Sequence, residues 1–250
     1  MSVFTQKLKE GNLQLPELPE VARQTLELAQ DPRATRAHFL ETLEADPAVA
    51  ERIVQVANPA PESAPAVIED LEGAVARIGL KLLPHMVIGL VLGRLHNAAD
   101  PCINRTLAQR WRTSVWRARA ARVLSEAYAA HLRPEVAYLS GLVADVGSWP
   151  VLIGLEREIA AGEEIEDISG LLEEHSSDVG EFVLSQWGFP EHVLEAVAQH
   201  RNPQYESGRT HPDYVDLCIV AHLQVSGVAD QDLAHAAAFR KLGLGASAKG

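Results

Sequence analysis

Residues 139–150, Leu-Ser-Gly-Leu-Val-Ala-Asp-Val-Gly-Ser-Trp-Pro, carry one charge in an otherwise apolar or small run. That charge restricts the fold more than any other feature of the chain. Leu139, Leu142, Val143 and Val146 recur at helical spacing, so the run predicts the end of a buried helix, with Gly147 offering a left-handed C-terminal cap. Asp145 falls in the last turn, beside four apolar residues and near the helix's negative end. Desolvation and the helix dipole both disfavour a carboxylate there unless a cation meets it. A fold that buries this helix must therefore answer what faces Asp145.

Helical patterning extends over almost the whole chain. Asp31-Pro32, Asp46-Pro47 and Asp100-Pro101 each place an Asp where it can cap a helix, followed by Pro at the first helical position. Val49, Ile53 and Val56 mark one buried face, Phe39, Leu40 and Leu43 another, and Val75, Ile78 and Leu82 a third that ends or bends near Gly79. Residues 59–66 hold three prolines and predict an exposed loop. A long helix is predicted from about Ile103 to Ala130, then helices through Asp145 and Glu158, and over about 167–175, 177–187, 190–200, 213–226 and 230–240. No stretch alternates with period two. The expected class is all-α, with a subdomain over 13–98, a second over 99–242 and a flexible tail over 243–250.

Composition narrows the function. The 250 residues carry a formal net charge of -12, which argues against nucleic acid as a partner, because phosphate binding needs a basic surface. The longest apolar run considered, Met86–Gly93, is too short to span a bilayer, and Met1–Glu10 has no apolar signal core. Cys102 and Cys218 lack metal or redox spacing, which suits a reducing cytosol. A bacterial-type cytoplasmic protein without membrane attachment is expected.

Ala144-Asp145-Val146-Gly147 resembles the signature of the HD superfamily of metal-dependent phosphohydrolases, in which adjacent His and Asp both bind metal; here Ala144 takes the place of the His. Leu15-Pro16-Glu17-Leu18-Pro19, Asp46-Pro47, Ala57-Asn58 and Ala74-Val75-Ala76-Arg77-Ile78-Gly79 resemble the ordered signposts of the HDOD family, the HD-related output domains, over roughly residues 13–205. That resemblance implies an N-terminal helical bundle packed on an HD-like helical core. It also implies a bacterial signalling module without established catalysis.

Carried over by position, the resemblance puts Thr113 where the first metal-binding His would stand. It puts Ala144 and Asp145 at the pair, His175 and His200 (followed by Arg201) at the later histidines, and His222 at the final Asp. Three expected ligands are thus replaced, so no metal and no cofactor is expected. The open alternative is a His-rich site built from Asp145, His175, His200 and His222. Without metal, Asp145 needs another partner. Arg110 and Arg117 lie three residues before and four after Thr113 and share its helix face, so either could pair with Asp145. Equally, Asp145 could cap or bond to a backbone amide.

Six arginines (Arg105, Arg110, Arg112, Arg117, Arg119, Arg122) and no acidic residue lie between Pro101 and Ser125, with Trp111 and Trp116 among them. Arg105, Arg112 and Arg119 recur every seven residues as one solvent-facing stripe. This helix could be neutralised by acidic residues such as Glu156, Glu158, Glu163 and Glu164, could bind an anion or a phosphorylated nucleotide through Arg forks, or could face nucleic acid. Ser140 and Ser148 near Asp145 are a weak sign of hydrolase chemistry, since no His is placed beside them.

The leading expectation is a non-catalytic signalling module acting through a partner protein or a small nucleotide ligand. A phosphohydrolase or phosphodiesterase with a rearranged metal site comes second. An anion- or nucleotide-binding regulator using the Arg105–Arg122 helix comes third.

Overall fold

The computed structural model describes residues 6–7, 10, 17–58, 67–94, 98–162, 165, 167–227 and 236–244. These residues form helices and connections with no strand among them. The chain divides into two compact units, Glu17–Leu95 and Met1–Pro16 with His96–Gly250. The expected loop over 59–66, residues 245–250 of the expected tail, Glu163, Glu164 and most of the helix expected over 230–240 lie outside the described residues.

The smaller unit holds α1 (Glu20–Gln30), α2 (Arg36–Glu44), α3 (Pro47–Ala57), α4 (Leu71–Ile78) and α5 (Leu83–Val91). Phe39 and Leu43 of α2, Val49, Ile53 and Val56 of α3, and Val75 and Ile78 of α4 are buried, which is the face their spacing sets. Asp46 caps α3 by accepting from the Val49 amide at 3.2 Å. Asn58 ends α3, and its side chain bonds Ile68 in both directions, donating to the carbonyl at 2.9 Å and accepting from the amide at 2.8 Å. Gly79 ends α4 at a φ of 82°, a conformation that a side chain would strain.

Asp31 does not start a helix. The helix before it runs through Gln30, and Asp31, extended ahead of Pro32, ends it. Its carboxylate instead accepts from the Arg33 amide at 2.9 Å, and α2 begins at Arg36, after Thr35.

The larger unit holds α6 (Pro101–Tyr128), α7 (Pro134–Val143), α8 (Ser148–Ala160), α9 (Ile168–Gln186), α10 (Glu191–Gln199), α11 (Tyr214–Val225) and α12 (Ala237–Lys241). The two helices expected over 167–187 are one, α9. Asp100 caps α6, accepting from the Cys102 and Ile103 amides at 2.8 and 2.9 Å, with Pro101 first in the helix. The core gathers on α11, where Val215 and Leu217–Ala221 are all buried, packed among Ala121 and Leu124 of α6, Ala137 of α7 and Ala196 of α10. Residues 215–221 of α11 are buried all round, and the one carboxylate among them, Asp216, pairs with Lys241 at 3.1 Å.

Two glycines set the spacing around Asp145. At Gly141 an added Cβ would lie 2.8 Å from the Ala118 Cα and 2.9 Å from the Arg117 carbonyl oxygen, so α7 crosses α6 backbone to backbone. Gly147 is not the left-handed cap that the sequence predicts: its φ is -68° and its ψ -15°. The chain passes from α7 into α8 through tight turns, the Ser148 amide donating to the Asp145 carbonyl at 3.0 Å. Gly147 is needed for a different reason. A Cβ there would lie 2.0 Å from the Ser176 carbonyl oxygen and 2.3 Å from the Gly180 nitrogen, both on α9.

The run Pro134–Ala160 has a mean hydropathy of 1.5 over its most apolar window, enough by length and composition to cross a bilayer, but 89% of that window is buried within the protein. Its apolar character serves the core.

Gly147→Ala is expected to cost about 3 kcal/mol or more, because backbone atoms cannot yield to the new methyl. Gly162→Ala, with a φ of 93° but nothing among the described residues within 4 Å of its Cβ, should cost about 1 kcal/mol. Urea unfolding of both variants checks this, and equal losses would contradict the close approach assigned to Gly147.

Candidate functional site

Asp145 sits in the turn between α7 and α8, where the negative end of one helix meets the positive end of the next. It is 3% exposed. Three guanidiniums converge on it. Arg110 of α6 donates from Nη1 to Oδ2 at 3.2 Å. Arg117, two turns further along α6, places Nη2 at 3.8 Å from the same oxygen. Arg201, just past α10, donates from Nη2 to Oδ1. The spacing that puts Arg110 and Arg117 on one face of α6 is the spacing that presents both to Asp145.

Arg117 is the unusual member. It is 1% exposed, on the core face of α6 between Ser114 and Ala121. Its Nε and Nη1 have no hydrogen-bond partner among the described residues. Burial lowers its pKa, as do the neighbouring Arg201 and Arg110, while Asp145 raises it; guanidinium nonetheless stays charged in proteins. Burial alone would raise the pKa of Asp145, but Arg117, Arg201 and Arg110 overcome it and hold the carboxyl far below the usual carboxylate range. Arg117 acts on Asp145 through its unscreened charge, Arg110 and Arg201 through direct hydrogen bonds.

The histidines divide. His200 is fully buried; its Nδ1 donates to the Val197 carbonyl at 2.8 Å and its Nε2 accepts from Arg201 Nε at 3.3 Å. Both ring nitrogens are committed, and the ring is neutral. His222, on α11, stands edge-on to His200 with centroids 5.1 Å apart, and its Nδ1 is buried without a hydrogen-bond partner among the described residues. His175, on α9, is buried beside Glu174 and does not line the cavity described below.

Of the replaced positions, Ala144 contributes only a buried methyl, and the Thr113 hydroxyl donates to the Gln109 carbonyl at 3.2 Å. The Ser140 and Ser148 hydroxyls donate to the Val136 and Asp145 carbonyls at 2.9 and 2.7 Å, so neither is poised as a nucleophile. A divalent cation does not fit this arrangement. Both Asp145 oxygens accept from guanidinium, and three positive side chains occupy the space. No group of three or more His, Cys, Asp or Glu converges among the described residues.

A cavity of about 700 Å³ opens against the cluster. Its wall includes Arg110, Arg117, Arg201, Asp145 and His222, with Thr106, Gln109 and Thr113 from α6 and Ser169 and Glu173 from α9. The rest of the arginine helix behaves differently. Arg105, Arg112 and Arg119 are exposed, and Arg119 lies over the exposed Trp116 ring at 5.7 Å. Arg122 pairs with Glu126 at 3.0 Å. The expected neutralisers are used elsewhere: Glu156 accepts from the Asp100 amide, and Glu158 pairs with Lys7. Arg201 was visible in the sequence beside His200, but nothing in its spacing tied it to Asp145, 56 residues away.

The cluster sets a pH response. Burial, then Arg117 and Arg201, push His222 down to about 3, and burial with Arg117 pushes His200 well below its ordinary value. The unfolded chain takes up these protons near pH 6.5 and the folded chain does not, so their stabilisation is complete above that pH and falls as pH drops toward 3. Asp145 adds a further loss only below about pH 4, where the unfolded carboxyl protonates first. His222→Gln should therefore flatten the pH 6.5–4 limb of stability by up to about 1.4 kcal/mol per pH unit, read by urea unfolding. An unchanged slope would contradict the assignment.

Residues 15–203 match the family model for the HDOD domain. No match was found among curated proteins. Among solved structures the chain is similar to a Shewanella amazonensis SB2B protein, provisionally described as a metal-dependent phosphohydrolase, with 29% identity and a TM-score of 0.77 over 91% of this chain and 83% of that one. It is similar in fold to an HDOD domain protein of unknown function from Geobacter sulfurreducens, with 17% identity and a TM-score of 0.62 over 98% of this chain and 88% of the other. A Marinobacter aquaeolei VT8 protein, provisionally described as a signal transduction protein, shares the fold with 24% identity and a TM-score of 0.54, over 94% of this chain and 55% of its own. On the extent of the family match, and with an all-helical fold to go with it, the chain belongs to the HDOD domain family.

Proposed function

We propose that this protein is a non-catalytic regulatory module that works by binding, its HD-type metal centre replaced by a guanidinium–carboxylate cluster. The observation that carries the reading is the buried Asp145 held by Arg110, Arg117 and Arg201. In a metal-dependent hydrolase that carboxylate would face a cation and an activated water. Here both of its oxygens accept from guanidinium, and three positive side chains around it repel cations. The family membership, and the fold shared with a protein provisionally described as a signal transduction protein, support a regulatory role. Free thiols at Cys102 and the buried Cys218, whose pKa burial pushes up to about 12, support placement in a reducing bacterial cytoplasm. A partner protein or a small signal would be what it binds.

A second reading, a phosphohydrolase with a rearranged centre, is favoured by the 29% identity to a protein provisionally described as a metal-dependent phosphohydrolase. It would require the arginines to leave Asp145 so that His222 could approach a metal.

The two readings separate on Asp145→Asn, which removes the charge and keeps the shape. Under the regulatory reading, protein purified without chelator holds well under one equivalent of Mn, Fe or Ni. The variant then loses about 3 kcal/mol or more in urea unfolding, because three guanidiniums are left without their carboxylate. Near-stoichiometric metal that the variant loses, with turnover of a phosphodiester, would overturn the proposal.

A further inference from the structure

The cluster around Asp145 does not balance. Three guanidiniums face the Asp145 carboxylate, and among the described residues the only other carboxylate on the cavity wall is Glu173, which is exposed. A buried cation with unsatisfied donors is costly, because desolvation is not returned by partners. Arg117 Nε and Nη1 are such donors, and the side chain that carries them is 1% exposed on the wall of a cavity. His222, on the same wall, is held neutral and adds no charge of its own.

Arg117 is sealed behind Arg110 and Arg201, so its charge reaches the cavity as a field, and the lining decides what class of anion that field would hold. Thr106, Gln109, Thr113, Ser169 and Ser226 supply hydroxyl and amide groups around the guanidiniums, and Val225 is the one aliphatic residue on the wall among the described residues. No Phe, Tyr or Trp among the described residues lines it. Planar rings bind against apolar or aromatic faces, whereas compact oxyanions bind to guanidinium forks and hydroxyls. A volume of about 700 Å³ holds a small phosphorylated molecule rather than a polymer segment. The exposed Arg105, Arg112 and Arg119 lie outside this wall, so the two faces of α6 serve different ends.

We propose that this cavity is a metal-independent receptor site for the phosphate group of a small phosphorylated molecule, with Arg110, Arg117 and Arg201 as its cationic ligands. The inference rests on the regulatory reading above and names the signal that such a module would sense. Arg110 and Arg201, with side chains 20% and 15% exposed, are the groups a ligand meets first, and Arg117 supplies fixed charge behind them. Asp145 then holds the three forks in place, a positioning residue for an anion rather than a ligand for a cation.

Calorimetric titration of the full chain with inorganic phosphate and with ribose 5-phosphate, in buffer containing chelator, tests the proposal. One phosphate group is expected to bind per chain. At a hundredfold excess over Kd it should raise Tm by about 5 °C. Arg110→Gln, at the rim of the cluster, should weaken binding about tenfold while leaving the fold intact. The double variant Arg105→Gln, Arg112→Gln, on the outer face, should bind as the parent does. Loss of binding in the double variant but not in Arg110→Gln would move the anion to the surface stripe and overturn the proposal. No saturable binding of either compound would overturn it while leaving the regulatory reading standing. Binding that appears only when Mn is added, with hydrolysis of a phosphoester, would overturn both.

Discussion

A buried carboxylate held by three guanidiniums is the interaction on which the larger unit depends. Asp145 could not remain ionised in an apolar helix turn without them, and Arg117 could not remain buried without Asp145. Each is tolerable only because of the other, so the loss of one strands a charge in the core. The mutual dependence accounts for two of the six arginines on α6. Two of the six, Arg110 and Arg117, answer Asp145, Arg122 answers Glu126, and the remaining three face solvent.

The backbone geometry serves that contact. Gly141 lets α7 lie directly on α6 at Ala118, next to Arg117, and Gly147 lets the following turn lie directly on α9. A side chain at Gly147 would push that turn away from α9, and one at Gly141 would push α7 and the turn that follows it away from α6. The distances of 3.2 and 3.8 Å to Arg110 and Arg117 would then lengthen beyond charge contact. Residues 215–221 of α11, buried all round, back the arrangement, and His222 follows them at the cavity wall. The cluster is therefore a product of tight helix crossings and does not depend on a mobile loop.

Much of this was legible in the sequence, because helical periodicity is local. The spacing of Val49, Ile53 and Val56 reads directly as a buried face, and Asp46 and Asp100 read as caps. The lone charge in the run 139–150 pointed to a cationic partner, and i−3/i+4 spacing named Arg110 and Arg117. Three things were not legible. Arg201 reaches Asp145 from 56 residues away, and only the packing of α10 brings it there. Gly147 looked like a cap because a glycine after an apolar stripe usually is one; its real constraint, the backbone of α9, leaves no mark nearby. Asp31-Pro32 has the same local chemistry as Asp46-Pro47, but the preceding helix claims Asp31 first.

The account's central claim is that guanidiniums, not a metal, neutralise Asp145. A crystal structure from crystals grown with Mn²⁺ and phosphate, with anomalous data collected at the Mn edge, tests this most directly. The account predicts Arg110, Arg117 and Arg201 around the Asp145 carboxylate, no anomalous peak within about 2.5 Å of its oxygens, and phosphate density in the cavity. An anomalous peak bonded to Asp145 and His222, with the arginines turned away, would contradict it.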